Sequence, residues 1–503
     1  MKKILLCSLA LFLVQCTPKT VNNSTKTLPD TDEATSCEIA VIGGGAAGLY
    51  TAMRLGPIYG KKLCLFEKEE RLGGRIYDIS NVSDSEGPYV AAGARRIMEG
   101  QKVLFDLVAE LGLELETPVQ EAEMIYAKGI YSSDKNDFVS KYPGLPIDPE
   151  AEDDAETQLL NKLRFSPKRD NIQDYQSFNS YIVDVVGETA LSYLRDMTRY
   201  RGDFEYDLSA SSYLDWLDEE WDTCCEASYP VGGMSAIIRG MTKKIEASGA
   251  RIFLGEPVNT IDSMGRGYKL ETSKKTVHVE ELVIAVPPHA LKYIGGEIMD
   301  KIQSSPEFKA MKGIKVTTIT QWFDTPWWRD IKKLNDGKQV WRAWTTGHCI
   351  NAVEIPQERY VSTQFAIRTV YNDQRECAAM WADLSKDPAA MDRELKKGLE
   401  HLFGDNGYTT PVTIPDAIKT QYWEWPDAWY WLDAGNRLTN TDVFNWAADP
   451  IEGEKIGLVS DGYNPQRTAW TDGAIKSAIN LLEVKYGFEN GGQPLPQTNQ
   501  QSE

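Results

Sequence analysis

The sequence predicts an α/β protein: a Rossmann-like domain interrupted by an inserted α+β domain. Three observations carry this reading. Residues 38–48, Glu-Ile-Ala-Val-Ile-Gly-Gly-Gly-Ala-Ala-Gly, set a Gly-x-Gly-x-x-Gly turn between a buried-strand pattern (Ile39, Val41, Ile42) and a helix-like run at 49–55. A second apolar strand, 63–66, ends on Glu67, 19 positions beyond Gly48. Strand-like runs return at 251–254, 268–271, 276–278 and 282–286, and again at 456–461, so the domain opened early is closed late.

Each element has a physical reason. Gly43 permits the tight turn, Gly45 lets the backbone approach a pyrophosphate, and Gly48 allows close helix–strand packing, so a diphosphate can sit on the helix N-terminus. Glu67 can take both ribose hydroxyls of an adenosine and would repel a 2′-phosphate. An amphipathic helix is expected at 103–112, largely helical and polar structure at 120–225, and a helix at 237–245 behind Pro230-Val-Gly-Gly-Met234. Residues 313–430 carry further strands and many tryptophans, and a helix follows at 471–484. The expected division is 37–112, 228–312 and 440–487 for the nucleotide-binding domain, with 113–227 and 313–439 for the inserted one. Residues from 488 to 503 read as a disordered tail.

A hydrophobic content of 42% and a charged content of 25% are those of an ordinary globular protein, and 503 residues can form two sizeable cores. The net charge of -20 argues against nucleic acid or an anionic membrane as partner. Residues 1–16 have a basic start and a short apolar core, the pattern of an export signal. Leu13-Val14-Gln15-Cys16 looks like a bacterial lipobox with Gln15 where a small residue is expected, so Cys16 is read as a lipid anchor, with plain secretion as the alternative. Residues 17–36 suit a flexible tether. Spacing does not assign disulfides among Cys37, Cys64, Cys224, Cys225, Cys349 and Cys377, and no metal site is expected.

Arg71-Leu72-Gly73-Gly74-Arg75, just after the ribose acid, resembles the flavin amine oxidase superfamily, which includes monoamine, polyamine and L-amino acid oxidases. Phe323-Asp-Thr-Pro-Trp-Trp328, Gln421-Tyr-Trp-Glu-Trp-Pro426 and Ser460-Asp-Gly-Tyr463 are similar to segments of the escapin/aplysianin group of L-amino acid oxidases. The resemblance implies a GR2-type flavoprotein with noncovalent FAD. Gly74 would then pass close to the cofactor and Arg75 would place a fixed charge beside it. Val258 would lie near the adenine through its backbone, and Asp461 would bond the ribityl or diphosphate portion. Gly93-Ala-Arg-Arg-Ile97 resembles the stretch that holds a substrate carboxylate, with Arg96 as the bidentate partner; the alternative is an interdomain salt bridge by Arg95 or Arg96. Trp470 would stand at one side of the flavin's reactive face, with Trp431 as the opposite wall.

The superfamily's flavin-proximal lysine has no direct counterpart. Counting back from Pro326 gives Thr318, while Lys315 lies an odd step away and would face the other side of a regular strand unless a bulge intervenes. The implied reaction is oxidative deamination of L-amino acids, Lys or Arg among them, to 2-oxo acid, ammonia and hydrogen peroxide. The alternatives are an amine or polyamine oxidase, a dehydrogenase using an acceptor other than oxygen, and a non-enzymatic flavin-binding surface protein.

Overall fold

Strand Ile39–Ile42 is apolar at every position because both of its faces are covered. Ile39 and Val41 pack with helices Ala46–Tyr59, Ser235–Ala247 and Thr471–Tyr486, whereas Ala40 and Ile42 pack with the antiparallel strands Val258–Ser263, Tyr268–Thr272 and Thr276–Val279. The strand is the middle of a five-stranded parallel sheet in the order Arg251–Phe253, Leu63–Phe66, Ile39–Ile42, Glu281–Ile284, Ile456–Leu458. This is the Rossmann-like α/β domain, and its fifth strand comes from the last tenth of the chain. The computed structural model describes residues 35–80, 89–206, 208–222, 226–355, 365–464, 470–489 and 493–494. The expected signal, the tether up to residue 34 and the lipid-anchor cysteine, together with Cys224 and Cys225, lie outside those residues, while Thr35–Ser36, expected as the tether's end, pairs as a short strand with Thr276–Val279.

The inserted α+β part is built on a seven-stranded sheet. Its order is Lys419–Leu432, Met311–Phe323, Phe365–Asn372, Ala352–Glu354, Val340–Thr345, Ala122–Ala127, Ile130–Ser132. One face (Ile319, Phe323, Val353, Ile367, Val370) packs on helices Arg375–Leu384 and Pro388–Phe403. Part of the other (Ile314, Val316, Trp344, Ala352, Trp429) packs on a helical layer drawn from 155–222.

Two expectations change here. The region 120–225 opens with strands, not helix: Ala122–Ala127 buries both sides of its backbone within the sheet and is followed by Ile130–Ser132. The tail does not begin at 488, because Phe488–Glu489 pairs antiparallel with Gln493–Pro494 and Phe488 is buried against the helical face of the parallel sheet. Cys37 is bonded to Cys64 and Cys349 to Cys377, the pairings that spacing leaves open. No helix among the described residues is long and apolar enough to cross a membrane.

A buried acid at the end of a sheet strand gives a stability test. Asp373 is 0% exposed; Oδ1 accepts from Gly202 N–H at 3.0 Å, and Oδ2 has no hydrogen-bond partner. Burial pushes its carboxyl up to about 7 against the opposing Gly202 N–H bond. Between about pH 4 and about pH 7 the folded chain therefore keeps a proton that the unfolded chain releases, so this group lowers stability as pH rises across that window and contributes no further slope above it. Asp373→Asn keeps the acceptor for Gly202 and is expected to raise stability at pH 8 by a few kcal/mol, roughly, with no gain at pH 4. Urea unfolding at the two pH values measures this, and parallel profiles for both proteins would assign the dependence elsewhere.

Candidate active site

The glycine turn after Ile39–Ile42 forms an open cradle. Gly43 has φ +107°, a conformation that favours glycine, and a Cβ there would lie 2.4 Å from the Ala285 carbonyl oxygen. A Cβ on Gly48 would lie 2.0 Å from the Gly43 carbonyl oxygen, which is the close helix–strand contact expected of it. Gly45 differs: a Cβ there would meet nothing within 4 Å, so the turn is open to an approaching group. Glu67 is nearly buried at the end of the neighbouring strand, where Gly44 N–H donates to Oε2 at 2.7 Å and Glu69 N–H to Oε1 at 2.9 Å. A carboxylate has about four lone-pair sites, so each oxygen keeps acceptor capacity for a ribose hydroxyl. Val258 lies in the layer packed with Phe66, next to Glu67 in the chain. Open backbone, helix N-terminus and acid together suit a dinucleotide cofactor.

Gly73 and Gly74, with φ +112° and +56°, bring the second glycine segment onto the first: Gly73 N–H donates to the Gly44 carbonyl at 2.8 Å. Arg75 then reaches Asp461, with Nη1 to Oδ2 at 2.9 Å and Nη2 pairing with Oδ1, and also bonds the Ala428 carbonyl at 2.8 Å. Burial works against its charge, yet the Asp461 carboxylate holds the guanidinium above its ordinary range. The next segment is locked against this one, since Ala94 N–H donates to the Arg75 carbonyl at 3.1 Å and a Cβ on Gly93 would lie 1.9 Å from the same oxygen. Two residues further on, Arg96 lies half-buried with its guanidinium carbon 5.8 Å from the Trp470 ring centre. Among the described residues Arg96 makes no hydrogen bond and no ion pair. Arg95 instead faces Glu354 at 3.2 Å.

The structure separates the remaining expected site residues. Thr318 is buried and donates to the Ala92 carbonyl at 3.0 Å, sharing it with Trp425 Nε1 at 2.8 Å. It therefore lies against the segment that leads to Arg96. A bulge falls at Lys315, between Ile314 and Val316, but does not carry the lysine to the Thr318 side. Its ammonium pairs with Glu424 at 2.9 Å, and Glu424 stands opposite Thr317 on the other face. Trp431 is a correction. It is 2% exposed and stacks on Tyr213 at 5.1 Å within the helical layer, while Trp470 packs with Met98, Ala227 and Tyr229. Strand alternation sends Trp431 and Trp429 into that layer and leaves Tyr430 beside Arg75, whose guanidinium lies 5.6 Å from its ring centre.

A charged row is the feature that sequence reading missed. Glu123, Arg342, Glu354 and Arg368 stand in lateral register on four adjacent strands. Arg342 pairs with Glu123, and Arg368 with Glu354. Burial opposes the charge of Glu354, but Arg368, Arg95, Arg96 and Arg342 hold its carboxyl well below the usual range. The signal was a single arginine inside each of two strand-like runs, Val340-Trp-Arg-Ala-Trp-Thr345 and Phe365-Ala-Ile-Arg-Thr-Val370, since a charge within a buried strand needs a partner.

The parallel sheet and its glycine cradle define a dinucleotide-binding oxidoreductase fold. The chain belongs to the family described as flavin containing amine oxidoreductase, whose profile matches residues 46–452, and a flavin is its cofactor. It is 20% identical to aplysianin-A of Aplysia kurodai over 560 aligned positions, covering 98% of each chain. It is 31% identical to an L-amino-acid oxidase of Naja atra over 156 residues, and 25% identical to one of Pseudechis australis over 294. Those two matches span only 30% and 55% of the relatives' length. Its fold is similar to cyclohexylamine oxidase from Brevibacterium oxydans IH-35A, with a TM-score of 0.65 and 15% identity over 88% of this chain and 97% of that one. Putrescine oxidase is similar over the same shares, with a TM-score of 0.61 and 16% identity.

Proposed function

We propose that the protein binds FAD noncovalently and oxidises the amine of L-α-amino acids. The observation that carries this reading is Arg96, a half-buried guanidinium with no ion pair among the described residues, set beside Trp470. A planar guanidinium binds a carboxylate bidentately, which an α-amino acid offers and a simple amine does not. The L-amino-acid oxidases among the relatives support the same substrate class. Gly43, Gly45, Gly48, Gly74 and Glu67 would hold the dinucleotide, with Arg75, Asp461 and Val258 along its length. Cys37, Cys64, Cys349 and Cys377 are all in disulfides, which supports noncovalent attachment. The domain division given above, and export with Cys16 as lipid anchor, belong to the same proposal.

Bound flavin supplies acceptance of the two electrons that leave Cα with its hydrogen. Arg96 orients the substrate by its carboxylate, and Trp470 shields one side from water. The imino acid product takes up water and yields a 2-oxo acid and ammonia. Oxygen is the proposed final acceptor, reduced to hydrogen peroxide. A second reading, a dehydrogenase with another acceptor, is favoured by one observation: Lys315 is paired with Glu424 on the face opposite Thr318, the residue that counting back from Pro326 sets where the superfamily has its lysine.

Anaerobic bleaching of the flavin by the L-amino acids and by their decarboxylated amines, followed by air, tests both readings. Bleaching by amino acids with prompt recolouring and peroxide is expected. Bleaching without recolouring would establish the dehydrogenase. Bleaching by amines alone would remove the carboxylate role of Arg96, and none by either would leave a flavin-binding protein without this chemistry.

A further inference from the structure

The long edge strand Lys419–Leu432 breaks its ladder beside the Arg75–Asp461 pair. Its register with Met311–Phe323 passes from Trp425 opposite Val316 to Trp429 opposite Ile314, so Pro426, Asp427 and Ala428 together face Lys315. Pro426 has no N–H to give a ladder, and a bulge is where a strand tolerates it. The bulge turns two acceptors toward the parallel sheet. The Ala428 carbonyl receives Arg75 Nη1 at 2.8 Å, and the Asp427 carboxylate pairs with His289 Nδ1 at 2.9 Å. Asp427 lies over Gly313, where any side chain would overlap its carboxyl. His289 belongs to the turn after strand Glu281–Ile284, close beyond Ala285, the residue that backs both Gly43 and Gly48. A Cβ on Gly462, next to Asp461, would lie 2.9 Å from Pro288 and 3.1 Å from the Tyr430 ring, so this turn, the Asp461 turn and the strand beyond the bulge meet at one point. Burial pushes the Asp427 carboxyl up, and His289 leads the groups that oppose it, ahead of Lys292, Arg75 and Lys315.

We propose that His289 is a positioning residue for the flavin: it holds Asp427, and through it the bulge, so that the Ala428 carbonyl fixes the Arg75 guanidinium toward the cofactor. The proposal rests on the reading that Arg75 meets the flavin. Arg75 has partners from two sheets. Asp461 follows the last parallel strand and takes both terminal nitrogens, whereas Ala428 is supplied by the inserted sheet. An arginine held by one carboxylate keeps a hinge about that pair, and a bond from a separate element removes it. That bond is charge-assisted, so its loss is felt. A bulge has no ladder of its own to hold its carbonyls in place. The His289–Asp427 pair supplies the missing tie, and it does so from the turn nearest the glycine cradle.

The test dilutes the purified holoprotein of each variant and reads the FAD dissociation constant from the flavin fluorescence that appears. His289→Ala and Asp427→Ala are each expected to weaken FAD binding about tenfold, and the double variant no further than either alone. His289→Asn, whose amide nitrogen can stand where Nδ1 does, should restore most of the affinity. Lys292→Ala removes an exposed charge that also faces Asp427 and should change it by less than about twofold. In an Arg75→Gln protein, whose amide still donates to Asp461, adding His289→Ala should cost nothing more. Wild-type affinity in both alanine variants, or equal losses for His289→Asn and His289→Ala, would overturn the proposal and leave the Arg75 reading intact wherever Arg75→Gln binds weakly. A loss that persists in full in the Arg75→Gln protein would overturn it by showing a route around Arg75. Wild-type affinity in Arg75→Gln alone would overturn the reading that Arg75 meets the flavin, and the proposal with it.

Discussion

Arg96→Ala is expected to lower kcat/KM for amino acids by roughly 100-fold or more, about 3 kcal/mol, while decarboxylated amines change by no more than a few-fold. The size follows from what is removed. A carboxylate entering a partly desolvated wall loses water, and a bidentate charge-assisted pair compensates that loss. Without Arg96 the carboxylate loses its water and receives no fork in return. Arg96 has no ion-pair partner among the described residues, so its removal strands no acid among them and folding should be unaffected. Arg96→Lys separates charge from geometry: a point charge without the planar fork should recover only part of the loss. Steady-state kinetics on each amino acid and its decarboxylated amine gives the comparison. Equal losses on both substrate types would make Arg96 a structural residue.

The second large effect is a contrast between two glycines three positions apart. Gly48→Ala is expected to destabilise the fold by about 3 kcal/mol or more, because its methyl would sit 2.0 Å from the backbone oxygen of Gly43 and 2.8 Å from Ala285 Cβ. Neither contact can relax without moving the strand or the helix. Gly45→Ala should leave stability within about 1 kcal/mol, since its methyl would meet no protein atom within 4 Å. That methyl would instead fill the space a pyrophosphate needs, so the Gly45 variant should purify folded and colourless. Flavin content and thermal melting, measured together, separate the two outcomes. A Gly45 variant with full flavin content would place the cofactor elsewhere.

These predictions draw on residues that differ in how plainly the sequence displays them. The unit from Ile39 to Arg75 was legible because strand, turn, helix, strand and acid follow one another locally, each with its own composition. That Trp431 falls in the helical layer was not legible, because the resemblance gave its neighbourhood but not its face, and one step along the strand exchanges the Arg75 side for that layer. The row from Glu123 to Arg368 was hidden for another reason. Its members lie on four strands gathered from across the chain, and strand Ala122–Ala127 sits where composition reads as helical. Pairing across a sheet is a property of topology, and no window along the sequence contains it.

The Arg75 contacts also bear on how the protein is made. This arginine is tied to Ala428, 353 positions later, and to Asp461, 386 positions later, and the parallel sheet gains its last strand only at Ile456–Leu458. Synthesis must pass Leu458 before the sheet can close and Asp461 before the arginine clamp can. Until then the apolar strands from the N-terminal region wait without their final neighbour, a period in which a chaperone would meet them.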